Sequence, residues 1–212
     1  QNALGVLASL TGDELARRGL GSIKPAFAGN RSDGSPGFVC SQPLLAQGRV
    51  RFAGEPVAFV VAESIDQAKD GAELIDVDYE PLAVIASVDD ALASGALAIW
   101  DENPGNEAFT YEIGDEAAVE AAFDGAVHVV RHRVCVNRVA GNAMETRGCL
   151  AEYDLYEDAY TLRATVQSVH GIRAQIAGQI FGIDQTQLRV ICDQMGVVVI
   201  EIGRQSLFDQ TL

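Results

Sequence analysis

"EPVAFVVAESIDQAKDGAELIDVDYEPL", residues 55–82, is the stretch that decides the fold class. Its opening "EPVAFVVA" at 55–62 is a continuous, β-branched apolar run of the kind that forms a buried strand. Ser64 with Gln67 three residues later is a capping box, the signature of a helix start. Ile65, Ala68, Ala72 and Ile75 then recur at helical spacing and give that helix one apolar face. "LIDVDYEPL" at 74–82 alternates Ile75, Val77 and Tyr79 against Asp76, Asp78 and Glu80, the pattern of a strand with one wet face, and Pro81 stops it. Strand, capped helix and strand in succession predict mixed α and β structure.

Upstream, "GVLASLTGDELARRGLG" at 5–21 reads as a strand followed by a short helix. Thr11 and Glu14 form a second capping box, and Gly19 or Gly21 suits a left-handed helix end. Residues 22–48 are loop-like around "GNRSDGSPG". No strand precedes that stretch and no GK[ST] follows it, so a solvated loop is a better reading than a phosphate loop. Downstream, "VDDALASG" is a short helix ending at Gly95. "DENPGN" at 101–106 is the strongest linker signal, and places a domain boundary between residues 1–100 and 101–212. Beyond it, "GDEAAVEAAFDGA" is a helix capped by Asp115, and "AVHVVRHRVCV" a long alternating strand. On that strand His128 and His132 stand some ~13 Å apart, too far to chelate one metal. "GCLAEYDLYEDAYTLRATVQ" at 148–167 is a hairpin, "SVHGIRAQIAGQIFG" a helix ending at Gly182, and "LRVIC" a further strand.

The bulk numbers exclude several partners. Of 212 residues, 48% are hydrophobic, enough for a sizeable core. Thirty acidic residues against fifteen basic ones give a net charge of −15, with no cation excess to neutralise phosphates. Nucleic acid and anionic membrane surfaces are therefore poor partners. Cys40, Cys135, Cys149 and Cys192 are widely spaced without C-x-x-C, so zinc and iron–sulfur ligation are not expected. Cys135, Cys149 and Cys192 lie in apolar runs and read as small core residues. No apolar run reaches the roughly 18 residues of a membrane span, and the default location is cytoplasmic.

Chemistry is sparse by motif. G-x-S-x-G, H-E-x-x-H, G-x-x-x-x-G-K and G-x-G-x-x-G are all absent. Three places remain. Asn142, Glu145 and Arg147 cluster in "NAMETRG", where a turn with an internal ion pair is the plain reading. Gln167 stands at a strand end just before a helix, a favoured ligand position in α/β folds, although a surface or capping role is equally ordinary. Met195 and Gly196 in "DQMG" follow a second strand end.

The run "GRVRFAGEPVAFVVAESIDQAKDGAELIDVDYEPL" at 48–82 resembles the α/β hammerhead domain of the molybdenum-binding large subunit of the xanthine dehydrogenase/aldehyde oxidase family. The resemblance continues through "DENPGNEAFTY", "GDEAAVEAAFDGAVHVV", "NRVAGNAMETRGCLAEYD" and "TLRATVQSVHGIRAQIAGQIFGIDQTQLRVI". It is strongest to the carbon-monoxide-dehydrogenase-like members. It implies an α+β fold: an N-terminally incomplete hammerhead domain over 1–100, then the start of a molybdenum cofactor-binding domain over 101–212. It also implies oxidation of an aldehyde, heteroaromatic or similar carbon centre, or of carbon monoxide. The cofactor implied is a molybdenum-pterin of the molybdopterin cytosine dinucleotide type. Electrons would leave through iron–sulfur and FAD subunits of a heterotrimer, which the resemblance allows to dimerise. By the same resemblance Gln167 falls on the glutamine that bonds a molybdenum oxo ligand, and Asn142, Glu145 and Arg147 lie near the substrate channel. No residue ligates the metal directly, and no catalytic residue falls in this stretch.

One departure bears on activity. The family's turn M-G-G-G-F-G-x-K begins here at Met195-Gly196, but Val197, Val198, Val199 and Ile200 follow. Valine disfavours the positive φ that glycine permits and fills space beside the cofactor. By pattern alone 197–202 is a buried strand. The expectation is a fragment inactive by itself, with a non-catalytic binding or assembly module as the alternative.

Overall fold

A computed structural model describes residues 3–25, 27–134 and 148–193. Strand β1 (Val6–Thr11) pairs antiparallel with β4 (Ala58–Ala62), Leu10 opposite Phe59, with a register irregularity between Val6 and Ala8. Between them run helix α1 (Gly12–Arg17) and a short pair, β2 (Ser22–Ile23) with β3 (Gln42–Pro43). Thr11 caps α1, its hydroxyl accepting the Glu14 N–H at 3.4 Å. Helix α2 (Ile65–Glu73) starts at Ser64, whose hydroxyl accepts the Gln67 N–H at 3.3 Å. It lies on β1 and β4 through Gly71. A Cβ there would stand 2.8 Å from Val6 Cγ2, so only glycine lets the helix come down onto the sheet.

Three sequence expectations change here. β4 is not buried: its sheet has two strands and α2 covers one face, leaving Phe59 57% and Val61 37% exposed. Residues 75–82 form no strand, and neither do 127–134. Alternation supplies propensity for an extended chain, but a strand needs a neighbouring edge to bond to, and neither segment has one among the described residues. Helices α3 (Val88–Ala91) and α4 (Glu116–Asp124) do form, α4 capped by Asp115 as expected, while α3 is capped by Ser87 and ends before Gly95.

The polar stretch 101–106 is a pinned turn rather than a free tether. Asn103 is buried, and its side-chain carbonyl accepts Arg31 Nη2 at 2.8 Å. Arg31 Nε also donates to the Glu107 carbonyl at 3.3 Å. Arg49 pairs with Asp101 at 3.0 Å, and the Arg51 guanidinium sits 3.8 Å above the Trp100 ring. The Glu107 carboxylate takes the Ser32 N–H (2.7 Å), the Thr110 hydroxyl (2.8 Å) and the Ser32 hydroxyl (3.0 Å). These bonds, the Ser32 backbone first, hold its pKa below the ordinary glutamate value.

The remaining sheet is three-stranded. β5 (Cys149–Asp154) and β6 (Ala159–Ala164) form the expected hairpin, Cys149 opposite Ala164. β7 (Leu188–Ile191) pairs parallel to β6, Tyr160 opposite Leu188 and Arg163 opposite Ile191. Parallel pairing demands a crossover. Helix α5 (Val169–Ala174) supplies it, continuing as π-helical turns over Gln175–Phe181. Gly182 ends them in a left-handed conformation, φ +64°. Ala177 and Ile180 of the crossover and Leu188 of β7 are buried. β2 is stapled to it: the Gly21 N–H donates to the Ile180 carbonyl at 2.8 Å and the Lys24 N–H to Gln179 Oε1 at 2.9 Å. β5 is an edge strand exposed on both faces, so Cys149 is exposed rather than a core residue. Among the described residues no helix is long and apolar enough to cross a membrane.

Candidate functional site

Parallel strands β6 and β7 end side by side, and that shared carboxyl end is where an open α/β unit holds ligands. Gln167 lies three residues beyond Ala164, exposed, at the point where the chain turns from β6 into α5. The turn is tied on both sides of it. Before it, the Cys192 thiol donates to the Val166 carbonyl at 3.5 Å, joining the exits of β6 and β7. After it, Ser168 caps α5, its hydroxyl accepting the Gly171 N–H at 3.0 Å. Next to Cys192, Asp193 faces Arg163 of β6 at 3.6 Å, so the acid nearest this end has a cation beside it. Thr165 and Ser168 flank Gln167 in the chain and carry hydroxyls. An amide beside hydroxyls suits a group presenting oxo oxygens, which takes hydrogen bonds from such donors.

Of the sequence-derived positions, the described structure contains Gln167. Asn142, Glu145, Arg147, Met195 and Gly196 lie outside the described residues. Two contributors were not legible as such. Cys192 reads as core in an apolar run, yet it is half-buried and spends its thiol on a strand-end carbonyl. Ser168 lacks the Glu or Gln three residues on that marks a capping box, and has Gly171 there instead. A serine directly before a helical pattern is the signal that was available.

A hairpin, a parallel crossover and an N-terminal strand–helix unit stapled to it make an α+β chain with Gln167 at a strand end. Comparison with known proteins gives that class its family. Residues 1–83 match the family described as "Aldehyde oxidase and xanthine dehydrogenase, a/b hammerhead domain", and residues 99–197 the "Molybdopterin cofactor-binding domain". The carbon monoxide dehydrogenase large chain of Afipia carboxidovorans is 32% identical over 204 residues, 91% of this chain and 24% of that one. The nicotine 6-hydroxylase large subunit of Paenarthrobacter nicotinovorans is 36% identical over 158 residues, 74% of this chain and 19% of that one. The crystal structure of quinoline 2-oxidoreductase from Pseudomonas putida 86 superposes with a TM-score of 0.74 at 31% identity, over 91% of this chain and 23% of that one. The chain belongs to the molybdenum-binding large subunits of the xanthine dehydrogenase/aldehyde oxidase family. It spans about a quarter or less of the length of these three relatives. The first two are named as subunits, parts of multi-chain enzymes.

Proposed function

We propose that this chain supplies the hammerhead domain, residues 1–100, and the start of the cofactor-binding domain, residues 101–212, of a cytoplasmic molybdenum hydroxylase. Its substrate class is an aldehyde, a heteroaromatic ring or carbon monoxide, in line with relatives that act on carbon monoxide and nicotine. One observation supports this reading above the others: Gln167 stands at the joined carboxyl ends of two parallel strands, inside the molybdopterin-domain match. Its amide is the group assigned to hold an oxo ligand of a molybdenum-pterin, of the cytosine dinucleotide form. Met195 and Gly196 would approach the same cofactor, and Asn142, Glu145 and Arg147 would line the channel to it. When bound, that group supplies the oxidation chemistry, and iron–sulfur and FAD subunits carry electrons away. Activity is assigned to the assembled enzyme, not to this chain alone.

Surface composition supports an assembled state. Phe52, Phe59, Leu74, Val84, Tyr111, Ile113 and Leu155 are all more than half exposed, an apolar surface unusual for a chain that works alone. A second reading, a non-catalytic assembly module, is favoured by Val197, Val198 and Ile200 where the family places glycines. Molybdenum and pterin analysis separates the two, performed on the chain alone and on the chain co-expressed with its companion subunits. The hydroxylase reading expects stoichiometric molybdenum only in the assembled protein. Molybdenum absent from the assembly would establish the module, and stoichiometric molybdenum in the lone chain would overturn the need for companions.

A further inference from the structure

Gln167 has no regular secondary structure of its own. It sits between β6 and α5, exposed. Yet both neighbouring residues are bonded by a side chain. The Val166 carbonyl accepts from Cys192 Sγ at 3.5 Å, and the Ser168 hydroxyl accepts the Gly171 N–H at 3.0 Å. The first bond ties the exit of β6 to the exit of β7. The second fixes where helix α5 begins, with Ser168 held at φ −141°, ψ 101°. Gly171 is fitted to this cap: a Cβ there would lie 3.0 Å from Ser168 Oγ and 3.4 Å from its Cβ, tighter than a relaxed contact.

We infer that Ser168 and Cys192 are positioning residues for Gln167, acting from either side to set the direction of its amide, with Gly171 making room for the serine bond. The inference rests on the reading of Gln167 as a cofactor contact. A side chain that must meet an oxo ligand at hydrogen-bond distance works only from a fixed backbone, and a shift on the order of 1 Å at such a site forfeits the contact. Each is assigned to act through Gln167.

The test uses the assembled enzyme reduced to Mo(V), whose paramagnetic resonance reports the ligand field at the metal without requiring a known substrate. Four variants are compared with wild type: Gln167→Ala, Ser168→Ala, Ser168→Thr and Cys192→Ala. Ser168→Ala is expected to split the Mo(V) signal. A second species would match Gln167→Ala, with a roughly fivefold shift in its favour, the worth of one lost helix cap. Ser168→Thr keeps the hydroxyl and restores the wild-type spectrum, and Cys192→Ala moves the signal in the same direction as Ser168→Ala. If Gln167→Ala alters the spectrum while Ser168→Ala and Cys192→Ala lower only the melting temperature, the positioning role is overturned and the Gln167 contact stands. If Gln167→Ala itself leaves the spectrum unchanged, the underlying contact is what fails. A Ser168→Ala variant that does not assemble hands the decision to Ser168→Thr and Cys192→Ala, and wild-type spectra in Cys192→Ala then refute the inference.

Discussion

Removing the Asn103 amide tests how the N-terminal unit is joined to the turn that leads into the cofactor-binding region. Asn103 is only 4% exposed, and its carbonyl accepts Arg31 Nη2 at 2.8 Å. A hydrogen bond to a charged partner contributes about 1.5–3 kcal/mol, but Arg31 keeps a second acceptor, the Glu107 carbonyl at 3.3 Å. Part of the arginine's bonding therefore survives, and Asn103→Ala should cost about 1–2 kcal/mol. At roughly 2–4 °C per kcal/mol for a chain of this size, the melting temperature falls by about 2–8 °C. Arg31→Ala completes a double-mutant cycle, and the coupling should reach at least about 1 kcal/mol. Urea unfolding provides the assay, followed by the single tryptophan, Trp100, which lies under the Arg51 guanidinium and whose carbonyl accepts the Asn103 N–H at 2.8 Å. Effects that add to within about 0.3–0.5 kcal/mol would show that the two side chains do not stabilise the turn through each other, and the clasp would lose its central bond.

Other outcomes follow from the same geometry. The Glu107 pKa is depressed in the folded chain by the Ser32 N–H and the two hydroxyls. Its stabilisation is therefore present above the ordinary glutamate pKa and is lost as pH falls through the lower folded value. Glu107→Gln should flatten that acid limb of a stability–pH profile, and an unchanged limb would contradict the assignment. Gly182 ends the crossover helix at φ +64° with open space around its missing Cβ, so Gly182→Ala carries only the left-handed backbone penalty, about 1 kcal/mol. Gly182→Asn should recover part of it in thermal melts. Gly21→Ala should cost about 1–3 kcal/mol, because the new methyl meets the Gln179 carbonyl oxygen of the crossover. A melting temperature equal to wild type would mean that β2 and the crossover do not pack as described.

Most local signals were legible in the sequence. Thr11, Ser64 and Asp115 cap the helices they precede, and the 148–167 hairpin pairs where its alternation places it. What failed depended on distant partners. Residues 75–82 and 127–134 have the alternation of strands, but no described edge lies beside them to complete a ladder. The 101–106 turn looked like a tether because Pro104, Gly105 and its polar neighbours mimic one. Arg31, more than 70 positions earlier, is what buries Asn103 there. At the candidate site, Gln167 was visible from its strand-end position. Cys192 was not, because a thiol in an apolar run looks the same whether it fills a core or bonds a carbonyl across two strands.

The central claim is that the Gln167 amide lies against the molybdenum centre, and its most direct test is electron–nuclear double resonance on the assembled enzyme in the Mo(V) state. The enzyme is prepared with ¹⁵N confined to glutamine amides. The account predicts a ¹⁵N coupling to the metal that disappears in Gln167→Ala. No ¹⁵N coupling in the wild-type enzyme, or a coupling that persists in the variant, would contradict it.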